Sequence, residues 1–99
     1  MKQKIDFRQI EIEMLDGNNS TVDISKELGN QIYQKTADLG ELELAREIYR
    51  DGEVEIDHQQ SGILSAYISS GFLAFVQEAA CRQLEALFAD DNSYEHTQP

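Results

Sequence analysis

Residues 61 to 88 read SGILSAYISSGFLAFVQEAACRQLEALF and hold three charged side chains, Glu78, Arg82 and Glu85. The chain as a whole has 99 residues, 27% of them charged, and a formal net charge of −11. A segment so poor in charge inside so acidic a chain is apolar for a structural reason. Asp57 followed by Gln60 forms a capping box, so a single long helix is predicted from about residue 58 to 89. At 1.5 Å rise per residue, about 32 residues make a rod ~48 Å long. A domain of this size has a radius of gyration near ~13 Å and cannot cover such a rod unaided. Either the helix breaks at Ser69-Ser70-Gly71, where glycine and serine weaken helical preference, or it overhangs and meets a partner. The densest apolar run, Ile63 to Val76, spans 14 residues, short of the ~20 that cross a bilayer.

Leu64, Ile68, Phe72, Val76, Ala80, Leu84 and Phe88 recur every fourth residue, a ridge that drifts ~40° per step and winds round the helix. Ile63, Tyr67, Phe75 and Ala79 lie alongside, and Gly62, Ala66, Ser70 and Ala74 form a second ridge of small residues. A helix apolar on so many faces is a central core helix, a self-association surface, or both. Leu64, Tyr67, Ile68, Phe72, Phe75 and Val76 are therefore predicted to form the contact surface of a homo-oligomer, with a dimer favoured.

Working back toward the N-terminus, Ile5 and Phe7 alternate, and Ile10, Ile12 and Met14 alternate in the opposite phase. Period two predicts a strand with one buried face, bent or bulged near Gln9. Asp16-Gly17-Asn18-Asn19 is turn chemistry, and Val22 and Ile24 resume the alternation, giving a β-hairpin with Glu11 and Glu13 pointing outward. Ser25 is placed as the N-cap of a helix over 26 to 37, carrying Leu28, Ile32 and Thr36. Asp38 and Glu41 form a capping box for a second helix with Leu42, Ala45, Ile48 and Tyr49 on one side, closed by Gly52. Val54 and Ile56 suggest a short third strand at 53 to 56. The expected class is α+β: an N-terminal β-hairpin packed with two short helices and one long C-terminal helix. One domain covers residues 1 to 89, with a disordered polar tail over 90 to 99.

Nineteen acidic residues against eight basic ones argue against a nucleic-acid or anionic-membrane partner, since phosphate contacts need clustered Lys and Arg. A basic protein partner fits the charge. Eight Asp and Glu fall within residues 38 to 57, against Arg46 and Arg50. A solvated face explains them, and the alternative is an acidic inhibitor or nucleic-acid mimic that turns them toward a basic protein. The lone Cys81, between Ala80 and Arg82 and one turn from Leu84, reads as a small buried hydrophobe. A single cysteine and no apolar leader behind MKQKIDFRQI make a reducing cytoplasm the expected compartment. His58 and His96 are not spaced from Cys81 or a serine as a triad would be. DGNNSTVDISKE, residues 16 to 27, approaches a calcium loop but has Thr21 where glycine is needed and Asp23 where an apolar residue belongs. No catalytic residue, cofactor or metal is expected.

LDGNNSTVDISKELGNQIY (15 to 33), LAREIYRDGEVEI (44 to 56) and FVQEAACRQLEAL (75 to 87), in that order, resemble small proteins encoded in phage, prophage and other mobile regions of bacterial genomes. The resemblance covers about residues 5 to 88. It implies an assembly or accessory factor and carries over no functional residues. Together with the missing catalytic set, the expected role is a non-enzymatic, self-associating adaptor.

Overall fold

The change of hydrophobic phase near Gln9 is a corner between two strands. In the computed structural model, which describes residues 2–89, β1 (Gln3–Asp6) stops at Asp6 and β2 (Ile10–Glu13) starts a new direction. Asp6 makes the corner: its carbonyl accepts from Gln9 N–H at 3.2 Å, and its carboxylate takes Arg8 Nε and Nη2 at 2.9 and 3.0 Å. That ion pair holds the Asp6 carboxyl below its ordinary range, the Arg8 hydrogen bond being the largest cause.

Beyond the corner follow β3 (Asn19–Val22), α1 (Ser25–Lys35), α2 (Leu39–Asp51), β4 (Glu53–Ile56), α3 (His58–Gly71) and α4 (Ala74–Leu87). The α+β class is as the sequence indicates, but the strands divide differently. β2 and β3 form the hairpin, with Ile10 opposite Val22. β1 pairs instead with β4, antiparallel, with Ile5 opposite Val54. Phe7 joins the two ribbons: its N–H donates to Gly52 O and its carbonyl accepts from Ile24 N–H, both at 2.8 Å. Its ring is fully buried.

Local signals set the helix ends. Ser25 is the first helical residue and not the cap, because the Asp23 carboxylate accepts from both its N–H and its hydroxyl, at 3.0 and 2.6 Å. Asp38 caps α2 by accepting from Glu41 N–H at 3.0 Å. Glu41 does not close that box, because its carboxylate is taken by Thr36 Oγ1 and Tyr67 OH at 2.8 Å each. The Asp57–Gln60 box is complete, at 2.8 and 2.9 Å. Gly52 ends α2 at φ +76°.

The single long helix expected over about 58 to 89 is two helices. α3 ends at Gly71, Phe72 and Leu73 are extended, and α4 begins at Ala74. The apolar ridge supplies the reason. Leu64 and Ile68 on α3, and Val76, Ala80 and Leu84 on α4, all reach one core with Phe88. An unbroken rod would carry half of those side chains past the edge of the domain, whereas the break folds both halves onto the strands and α1. The polar tail expected over 90 to 99 lies outside the described residues.

Candidate functional site

The break between α3 and α4 is one place where apolar surface remains uncovered, as it also does at the separate side chains of Leu15 and Leu39. Phe72 N–H still donates to Ile68 O at 3.2 Å, so α3 keeps its hydrogen bonding to the end. The next carbonyls would be left unpaired, as at any helix C-terminus. Two glutamines take them. Gln31 Nε2, reaching over from α1, donates to Gly71 O at 2.8 Å, and Gln77 Nε2 donates back to Phe72 O at 2.6 Å. Leu73 O then accepts from Val76 and Gln77 N–H at 3.0 and 2.9 Å, starting α4. Gly71 is the residue this allows, because an added Cβ would overlap the Gln31 amide.

The elbow so formed holds Leu73 71% exposed and Phe75 52% exposed. Beside them lies an open groove of about 530 Å³, lined by Val22, Ile24, Phe72, Leu73 and Val76 with Asp23 and Glu27 along one side. Hydrogen bonds from the Ser25 hydroxyl and N–H hold the Asp23 carboxyl below its ordinary range, so this edge stays anionic. The site is an apolar trough with a charged rim.

Of the six residues predicted for self-association, the structure brings only part to this surface. Leu64 and Ile68 have no exposure and Val76 has 8%, so the first two belong to the core and the third forms the groove floor. Tyr67 faces the other way, half-buried, with its hydroxyl donating to Glu41. Burial pushes its phenol above the ordinary range. Phe72 and Phe75 remain as surface or part-surface candidates. Leu73, absent from that set, is the most exposed of the elbow's apolar side chains. It lies one position off the four-residue ridge, directly after Ser-Ser-Gly and Phe72, and that offset was its signal. Val22 and Ile24 come from a distant stretch with no local pattern linking them to the elbow.

The remaining chemical candidates stay apart. Cys81 is half-buried, 4.0 Å from Ser69 Oγ. His58 is exposed and stacks on Phe88 at 5.4 Å between ring centres. The residue 16 to 27 stretch is spent on structure: Asp16 accepts from Asn18 N–H and Nδ2 at 3.0 Å, and Asp23 serves α1. Among the described residues, no group of three or more His, Cys, Asp or Glu could hold a metal ion. No described helix is long and apolar enough to cross a membrane. The ridge Gly62, Ala66, Ser70 and Ala74 is exposed, with no helix seated on it. Compared with family models, curated proteins and solved structures, the chain finds no match.

The acidic stretch 38 to 57 is divided. Asp38 and Asp57 cap helices, Glu41 holds Thr36 and Tyr67, Glu43 pairs with Arg46, and Asp51 pairs with Arg50. Five of the eight carboxylates therefore already have a partner within the chain.

Proposed function

We propose that the protein is a non-enzymatic interaction protein, a self-associating adaptor or assembly factor of the kind its phage-like phrases resemble. Its elbow groove takes an apolar, Lys- or Arg-bearing segment of another protein. The observation that carries this reading is the groove, where Leu73 stays exposed, with Phe75 exposed beside it, although nineteen other hydrophobic side chains among the described residues are buried. A net charge of −11 and the Asp23 and Glu27 rim favour a cationic partner, because complementary potentials steer encounter and select register. The nucleic-acid-mimic reading is weaker, since it needs a free, regular row of carboxylates and most of those in 38 to 57 are engaged.

Selection from a displayed library of random peptides tests the groove. The wild-type chain is expected to enrich peptides that combine Leu, Ile or Phe with Lys or Arg, with binding that weakens at high salt. L73S/F75S should lose them while remaining folded. Enrichment of no peptide sensitive to that double substitution would overturn the groove assignment.

A further inference from the structure

The outward face of α2 carries Glu43, Arg46, Glu47 and Arg50, opposite the buried Leu44, Ala45 and Ile48. Spacings of three and four residues put all four on one stripe. Within α2 the four-residue neighbours are like-charged, Glu43 with Glu47 and Arg46 with Arg50, the arrangement a helix disfavours. The order acid, base, acid, base becomes favourable under one operation. A two-fold axis between residues 46 and 47, with helices antiparallel, sets Glu43 opposite Arg50 of the second copy and Arg46 opposite Glu47 of the second copy. All four stripe contacts are then between opposite charges.

The surroundings suit a contact. A groove of about 300 Å³ runs between α1 and α2, floored by Gly29 and Ala45 and walled by Tyr33, Tyr49, Arg46 and Arg50. Tyr33 and Tyr49 are 49% and 44% exposed, each with a cation over its ring: Arg46 over Tyr33 at 5.8 Å and Lys26 over Tyr49 at 4.5 Å. Tyrosine and arginine are the residues that most often anchor protein interfaces. Existing ion pairs do not block the exchange. Arg46–Glu43 at 3.3 Å and Arg50–Asp51 at 3.0 Å are more than half exposed on every partner but Asp51, which is 50% exposed, and such pairs contribute little to stability.

We infer that a second copy of this chain docks on the α2 face as an antiparallel, two-fold pair, through the Glu43–Arg46–Glu47–Arg50 stripe flanked by Tyr33 and Tyr49. This rests on the self-associating part of the proposed function and leaves the elbow groove free for a different partner. A helix of this length is ~20 Å long, and with α1 alongside offers a face of roughly 400 Å² per copy. That is below the standard interface size, so the dimer is weak, in the micromolar range or above.

Sedimentation equilibrium from about 10 μM to about 1 mM covers that range. Two variants split the stripe by charge, E43R/E47R making it wholly basic and R46E/R50E wholly acidic. Circular dichroism establishes that both fold, as substitutions on an exposed helix face allow. The wild-type chain and L73S/F75S are expected to dimerise alike. Each stripe variant alone should associate at least roughly tenfold more weakly, and an equimolar mixture should form the heterodimer. A wild-type dimer that both stripe variants retain unchanged overturns the α2 contact alone. A wild-type chain that stays at 11.2 kDa throughout overturns self-association as well, and leaves the groove to the peptide selection.

Discussion

The side-chain amide of Gln31 on α1 donates from Nε2 to the carbonyl oxygen of Gly71, the last residue of α3, at 2.8 Å. This bond fixes where the C-terminal half of the chain turns, and it depends on residue 71 having no side chain. Gly71 has no positive φ, so alanine fits its backbone and is opposed only by the Gln31 amide. The oxygen of that amide, Oε1, is buried with no partner, so Gln31 gains one hydrogen bond and forgoes another.

These facts predict a reversal of sign. Gly71→Ala in the wild-type chain displaces the amide and should cost about 1 to 2 kcal/mol, the range for a disrupted buried hydrogen bond. In a Gln31→Ala background the overlap is gone, and the same substitution should be neutral or stabilise by up to ~1 kcal/mol through helix propensity. A double-mutant cycle by urea denaturation measures it. Equal costs in both backgrounds would show that Gln31 does not select glycine.

The groups around the break separate stability from binding. Leu64 and Ile68 are fully buried, so Leu64→Ala or Ile68→Ala should each cost about 2 to 5 kcal/mol by leaving a cavity. Leu73→Ser, at an exposed site, should change stability by less than about 0.5 kcal/mol. Urea midpoints compared across the three variants check the contrast. A Leu73 substitution as costly as the other two would place that side chain in the core.

The same contrast shows how far the sequence was legible. The α+β class, the hairpin turn, α2 with its glycine end, β4 and the complete Asp57–Gln60 box all rest on near-neighbour chemistry, which the residue order displays. The partner of β1 did not, because it lies about fifty positions away at Val54. The break was visible only as a choice, since Ser-Ser-Gly weakens a helix without ending it. Gln31, forty positions off, decides it through the Gly71 carbonyl. Four-residue periodicity places Leu64 and Ile68 on one apolar ridge, but it cannot distinguish a contact within the core, where both lie, from one with another molecule.

Tyr67 supplies a tie between helices where the sequence pattern suggested a contact with a partner. Its hydroxyl and Thr36 Oγ1 both donate to the Glu41 carboxylate at 2.8 Å, joining α3 to the start of α2. Tyr67→Phe should lower stability by about 1 kcal/mol near neutral pH, the typical net value of such a bond. It should leave the oligomeric state unchanged. Burial raises the phenol above its ordinary 10.0, so its contribution is full below that pH and fades as pH rises through the folded value. The gap between wild type and Tyr67→Phe should therefore narrow in alkali, which denaturation at about pH 8 and about pH 11 would show; a constant gap would refute it.

Asp23 gives the acid counterpart. Hydrogen bonds from the Ser25 hydroxyl and N–H, at 2.6 and 3.0 Å, favour its charged form and hold its carboxyl below the ordinary 3.8. A depressed carboxylate stabilises the fold above its unfolded value, and that contribution is lost as pH falls through the folded one. Asp23→Ala removes the carboxylate that takes the Ser25 N–H and hydroxyl at the start of α1 and should cost about 1 kcal/mol at about pH 6. The cost should be smaller at about pH 2.5, well below the ordinary 3.8, where that contribution is already being lost. Acid also relieves the repulsion of a chain at −11, but it does so almost equally in both proteins, so their difference isolates Asp23. Urea denaturation of the pair at the two pH values reads that difference directly. A gap that widens in acid would mean that Asp23 is strained by its neighbours, and that the anionic edge of the elbow groove is held against its electrostatics.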